Sequence, residues 1–177
     1  PLPRTADAPW QPHPLLSGRS PNLPQFTCHA SVLAPGHQPH LPHSHIEEEV
    51  LVVLDGEAEL TIADSPHDPA PRRIAAHSGH AAYYPAYQHH TIRNVGSTPL
   101  SYAMIKWSGH PAAVGSALAV QSDPDPGDWA GHGTDGVAFR PVLDGPTHFL
   151  GKLHAHRTTI RPGGGYPAHV DPHDIII

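Results

Sequence analysis

The chain is short of the residues that disulfide scaffolds, nucleic-acid binders and membrane proteins depend on. Its single cysteine, Cys28, excludes an internal disulfide framework and a four-cysteine zinc site. Only two lysines are present, Lys106 and Lys152, and ten Lys+Arg face sixteen Asp+Glu for a formal net charge of −6. With no basic run longer than Arg72-Arg73, a phosphate-backbone binder is excluded and no nucleic-acid partner is expected. No apolar run approaches the roughly 20 residues that a membrane-crossing helix needs. The opening Pro1-Leu2-Pro3-Arg4 lacks a basic-apolar signal pattern, so the expectation is a cytoplasmic protein with no membrane partner.

What the chain does hold is 23 Pro, 16 Gly and 18 His in 177 residues. The proline and glycine content argues against long helices and for short strands joined by turns. The histidines exceed what one site can use, so their spacing decides which of them matter.

Residues 1–22 are Pro-rich without apolar periodicity and read as an extended arm. Strand-like segments then run over 26–33, 50–54, 57–62, 73–76, 81–84, 90–95 and 100–107. Asp55-Gly56, between two such runs, is a hairpin signal. Short strands at this spacing, with no amphipathic helix between them, predict an all-β antiparallel sandwich or barrel. Residues 111–136 read as a linker with one short helix over 112–120. Strand texture returns at 137–139 and 148–160. The terminal Ile175-Ile176-Ile177 would be a bare apolar edge, which leads us to expect that the reading frame continues.

The chemistry concentrates in two segments. The first reads Gly36, six residues, His43-Ser44-His45, three residues, Glu49, six residues, Gly56. On a strand, His43, His45 and Glu49 share one parity and can converge, as a partial ligand set for a divalent transition metal. Glu47 has the same parity and is the rival carboxylate. The second segment reads Gly79, five residues, Pro85-Ala86-Tyr87, two residues, His90, three residues, Asn94, and offers His90 as a further ligand. His37 and His40 read as loop residues without a role, His89 as facing away from His90, and His77 and His80 as exposed.

In spacing and order these segments resemble the paired motifs of the cupin superfamily, the RmlC-like jelly rolls. Two departures stand out: one extra residue before His43, and Tyr87 where the family pattern has Gly. The resemblance implies a small antiparallel jelly-roll β-barrel over about residues 23–110, with His43, His45, Glu49 and His90 pointing inward to bind metal. Three neutral imidazoles and one carboxylate leave an octahedral ion up to two positions for water, dioxygen or substrate. Spacing does not choose among Fe, Mn, Ni, Zn and Cu. Tyr83, Tyr87, Asn94 and Met104 are candidate pocket residues, with Tyr84, Ile92 and Trp107 as pocket or core.

Residues 137–177 resemble the start of a second cupin barrel, as in bicupins. His169, Asp171 and His173 are its candidate ligands, and a structural role is preferred for them. The resemblance implies a metal-dependent protein acting on a small organic molecule, with oxygenase- or isomerase-type chemistry. The alternatives are a non-enzymatic module that binds a sugar or other small molecule and, less favoured, a His-rich metal buffer. Pairing as a homodimer or as a bicupin is expected.

Overall fold

The computed structural model describes residues 8–112, 121–123 and 136–176. Among them there is no helix, hence none long and apolar enough to cross a membrane. Eleven strands occur in chain order: β1 Trp10–Gly18, β2 Gln25–Leu33, β3 Glu48–Asp55, β4 Glu57–Ala63, β5 Arg72–His77, β6 Ala81–Tyr84, β7 His89–Asn94, β8 Leu100–Ser108, β9 Gln121–Asp123, β10 Val137–Gly145 and β11 Leu153–Ile160. One sheet has the order β1-β2-β8-β3-β6-β9, a second β5-β4-β7, and β10 pairs with β11 alone. All ladders are antiparallel. The expected short helix over 112–120 lies, but for Ala112, outside the described residues.

The two larger sheets pack face to face as a jelly-roll barrel. Leu33, Leu51, Val53, Tyr102 and Met104 from one meet Ala58, Leu60, Ile62 and Ile92 from the other in a single apolar core. Alternation along β4 shows why these sequences form this layer: Ala58, Leu60 and Ile62 turn inward, and Glu57 and Glu59 turn outward. Each fully buried leucine or tyrosine contributes on the order of 2 kcal/mol. The run over 50–54 does not alternate because β3 is covered on both faces, with Leu51 and Val53 in the barrel core and Val50 in a second cluster outside it.

Asp55-Gly56 is not a hairpin. Both edges of β3 are taken by β8 and β6, and both edges of β4 by β5 and β7, so the dipeptide is a corner where the chain changes sheets. Gly56 adopts φ 96°, and a Cβ there would lie 3.0 Å from Leu100 Cα and 3.1 Å from Pro99 O. The N-terminal segment also differs from the expected arm. Trp10–Gly18 form an edge strand on β2, with Pro12 and Pro14 at the sheet margin, where a missing N–H is tolerated. His80, expected to be exposed, is 1% exposed behind the β5–β6 turn.

The second cluster docks the β10–β11 hairpin onto the outer face of the large sheet. Leu143 and Phe149 pack there against Tyr83 and Trp107. Glu48, fully buried, anchors the contact by accepting four hydrogen bonds: Tyr83 Oη at 2.7 Å, Trp107 Nε1 at 2.7 Å, Thr147 Oγ1 at 2.6 Å and the His148 amide at 2.7 Å. Beyond β11, residues 161–176 form no strand, so the segment resembling a second motif is not built into a barrel wall here.

Two outcomes follow. Gly56→Ala forces a left-handed φ on a residue with a Cβ and presses that carbon on backbone, and should cost about 2 kcal/mol in urea unfolding. Glu48→Gln turns an amide donor toward other donors and should cost on the order of 3 kcal/mol. A midpoint shift within error for either variant would contradict the respective reading.

Candidate metal centre

His43 and His45 lie on the loop between β2 and β3, not on the strand that carries Glu49. The loop crosses from the large sheet to the small one and is fixed there by backbone pairing. His43 N donates to His90 O at 3.2 Å and His90 N to His43 O at 3.0 Å, and Tyr87 N donates to His45 O at 2.8 Å. The register of β3 sets Glu49 opposite both Tyr84 of β6 and Lys106 of β8. These connections bring residues from four segments to one point inside the barrel.

The three imidazoles form a nearly equilateral triangle, with ring centroids 5.2 Å (His43–His45), 5.2 Å (His43–His90) and 5.1 Å (His45–His90) apart. One nitrogen of each lies within 4.8 Å of the others. Glu49 Oε2 sits 3.4 Å from His45 Nε2 and 3.4 Å from His90 Nε2. Ligands about 2.1 Å from one ion at ordinary coordination angles lie roughly 3.0–3.4 Å apart, which these separations approach.

The far side of two rings is already committed. His45 Nδ1 is 3.0 Å from Glu47 O and His90 Nδ1 is 2.8 Å from Gln88 O. A carbonyl only accepts, so Nδ1 carries a proton in both rings and Nε2 is the nitrogen that faces Glu49. His90 also stacks on Tyr84 at 4.3 Å and 11°, and His40 packs edge-on against His43 at 3.9 Å.

Charge and burial favour a cation at this point. His90 Nε2, His43 Nδ1 and both Glu49 carboxylate oxygens are buried without a hydrogen-bond partner. Such atoms are costly unless something binds them. Burial alone would raise the Glu49 pKa, but His45, His90 and Lys106 outweigh it and hold the carboxyl far below the usual carboxylate range. Burial, reinforced by His40, His90, His45 and Lys106, pushes His43 down to about 4, so it is neutral near pH 7. The donor set of three imidazoles and an ionised carboxylate therefore fits a divalent ion.

Beside this cluster lies a cavity of about 210 Å³ whose walls include His29, His40, Leu51, Tyr84, Met104 and Lys106. Met104 lines this cavity, and the other pocket candidates Tyr83, Tyr87 and Asn94 lie outside its lining. Tyr83 faces the outer side of the large sheet and donates to Glu48. Tyr87, 60% exposed, keeps a left-handed φ of 65° where the family pattern has Gly, and its ring turns outward toward His148. Asn94 is consumed by the β7–β8 loop: Nδ2 donates to Leu33 O and Thr98 O, and Oδ1 accepts from Gly96 N. Glu47, the rival carboxylate, meets His45 on its Nδ1 side at 3.4 Å, away from the cluster. His169, Asp171 and His173 are solvent-accessible on an irregular segment, with His169 Nε2 3.4 Å and His173 Nε2 4.0 Å from Asp171.

Sequence reasoning overlooked three contributors. Lys106 Nζ is 3.3 Å from both Glu49 Oε2 and His45 Nε2, and its parity with the inward Leu100, Tyr102 and Met104 was a readable signal. His40 was dismissed as a loop residue, yet it supports His43 and lines the cavity. Glu48 was hidden by attention to the Glu47/Glu49 pair.

Residues 30–106 match the family model described as the cupin domain. No curated protein matches the chain in sequence. Among solved structures, a protein of Pseudomonas aeruginosa described as glyoxylate-induced superposes with TM-score 0.61 at 17% identity, over 77% of this chain and 50% of that one. A Cupin 2 conserved barrel domain protein of Salinispora arenicola gives TM-score 0.45 at 25% identity, over 60% and 82%. A Bacillus subtilis oxalate decarboxylase gives 0.41 at 21% identity, over 48% and 21%. The chain spans half the length of the Pseudomonas protein and 21% of the decarboxylase. The jelly-roll topology and the match over residues 30–106 both support the cupin superfamily for this part of the chain.

Proposed function

We propose that His43, His45, Glu49 and His90 hold a divalent transition-metal ion, and that the chain is a metal-dependent cupin acting on a small organic molecule in the adjoining cavity. The observation that carries this reading is the convergence of the His43, His45 and His90 rings, with Glu49 Oε2 3.4 Å from His45 Nε2 and His90 Nε2 and with buried atoms lacking a hydrogen-bond partner, beside a cavity sized for a small molecule.

A bound ion would supply Lewis acidity or, with a redox-active metal, dioxygen chemistry of the oxygenase or isomerase type. The protein's own part is preorganisation. The Glu47 and Gln88 carbonyls set the His45 and His90 tautomers, and Tyr84 braces the His90 ring. Leu51, Ile92 and Met104 keep one side of the cavity apolar, so a reacting group there is shielded from bulk water.

Elemental analysis of the purified protein should find close to one transition-metal ion per chain, and His90→Ala or Glu49→Gln should weaken its binding on the order of a hundredfold. A wild-type chain that binds no ion ends the proposal. The pH sign follows from His43. Its folded pKa of about 4 lies below the ordinary 6.5, so the unfolded chain takes the proton first as pH falls. Stability of the ion-free protein should decline from about pH 6.5 toward pH 4, and ion binding, which needs neutral rings, should weaken over the same fall. Occupancy unchanged between about pH 7.5 and pH 5 would count against the ligand set. Turnover screening separates enzyme from binding module: ion and ligand bound without oxygen uptake or product formation would favour the module.

A further inference from the structure

We propose that the ligand of this cavity is a small carboxylate anion, held by the Lys106 ammonium while it coordinates the ion; this rests on the metal reading above. The placement of Lys106 makes the case. Its Nζ lies 3.3 Å from Glu49 Oε2 and 3.3 Å from His45 Nε2, and its side chain is largely buried on the cavity wall. Any cation held by the quartet therefore shares a confined space with a fixed positive charge.

The walls offer little to offset that charge. Among the described residues, none that lines the cavity is acidic. Glu49 is the carboxylate of the cluster itself, and Glu47 meets His45 from the opposite ring nitrogen. A divalent ion and an ammonium against Glu49 leave two excess positive charges, or one if Glu47 is counted. A neutral sugar or alcohol would leave that excess in place. A carboxylate that puts one oxygen on the ion and the other on Nζ removes it and satisfies donors of the ammonium.

The remaining surface limits the rest of the molecule. Leu51, Ile92, Met104 and Tyr102 suit a short hydrocarbon part, while Thr91 and His29 add polar groups. At about 210 Å³ the space suits a small organic acid and not a peptide or sugar chain. An acid with a hydroxyl or carbonyl next to its carboxylate could use both coordination positions that an octahedral ion keeps open.

The test loads the full chain with Co(II), verifies the metal content by elemental analysis, and titrates three probes by calorimetry and the visible Co(II) spectrum: lactate, its neutral isostere lactamide, and inorganic phosphate. Lactate should bind about tenfold more tightly than lactamide and more tightly than phosphate. Lys106→Met should lower lactate affinity about tenfold, leave lactamide affinity unchanged, and take up cobalt at least as well as wild type. Lys106→Gln provides the same comparison if the methionine variant does not fold. Normal cobalt content with equal affinity for lactate and lactamide, with phosphate preferred, or with lactate affinity untouched by the variants, would overturn this inference and leave the metal reading standing. A wild-type chain that takes up no cobalt would overturn both.

Discussion

Two consecutive carboxylates, Glu48 and Glu49, are fully buried on opposite faces of β3, and the rest of the structure is arranged around making that tolerable. A buried carboxylate costs several kcal/mol unless its oxygens are bonded or its charge is paired. Glu48 is stabilised by hydrogen bonds, with four donors converging from β6, β8 and the loop before β11. Glu49 is paired with the Lys106 ammonium, 3.3 Å from Oε2. One strand thus couples the docking of the C-terminal hairpin to the position of the central ligand. The hairpin is part of the scaffold of the site even though it contributes no ligand.

Much of this was readable from residue pattern. Short apolar segments bounded by Gly and Pro located most of the barrel strands to within one or two residues, because half-buried strands impose period-two alternation and turns impose their own residue types. Pairing was not readable. Asp55-Gly56 has hairpin chemistry, but which edges of β3 and β4 are already occupied is a property of the whole fold, and those edges belong to β8, β6, β5 and β7. The Pro-rich start reads as an arm because it lacks apolar periodicity, yet an edge strand needs ladder donors on one side only and tolerates proline there.

The site shows the same division. Strand parity groups His43, His45 and Glu49, and His45 lies beside both of the others, but through a loop that bridges to β7 at His90 and not along a single strand. Parity failed at Glu48, where the wall is covered on both sides and neighbouring residues are equally buried. It would have succeeded at Lys106, which continues the inward series Leu100, Tyr102, Met104. Tyr87 illustrates a different limit. Its backbone takes the left-handed conformation a glycine would supply, so the turn survives the substitution while the ring goes to solvent, and a pocket role inferred from position alone does not hold.

The tilt of the charge balance carries the last step. A site built only to hold a structural ion would gain from further anionic or neutral donors around it, since each lowers the cost of confining a positive charge. Here the inward position beside Glu49 is given to a lysine on a rigid central strand, and the neighbouring cavity wall is given to histidines and apolar groups. Lys106 strengthens the ionised state of Glu49 while opposing the arrival of any second cation. Under the proposed reading, a metal centre with such a neighbour gives up ion affinity and gains attraction for an anion in the adjoining cavity.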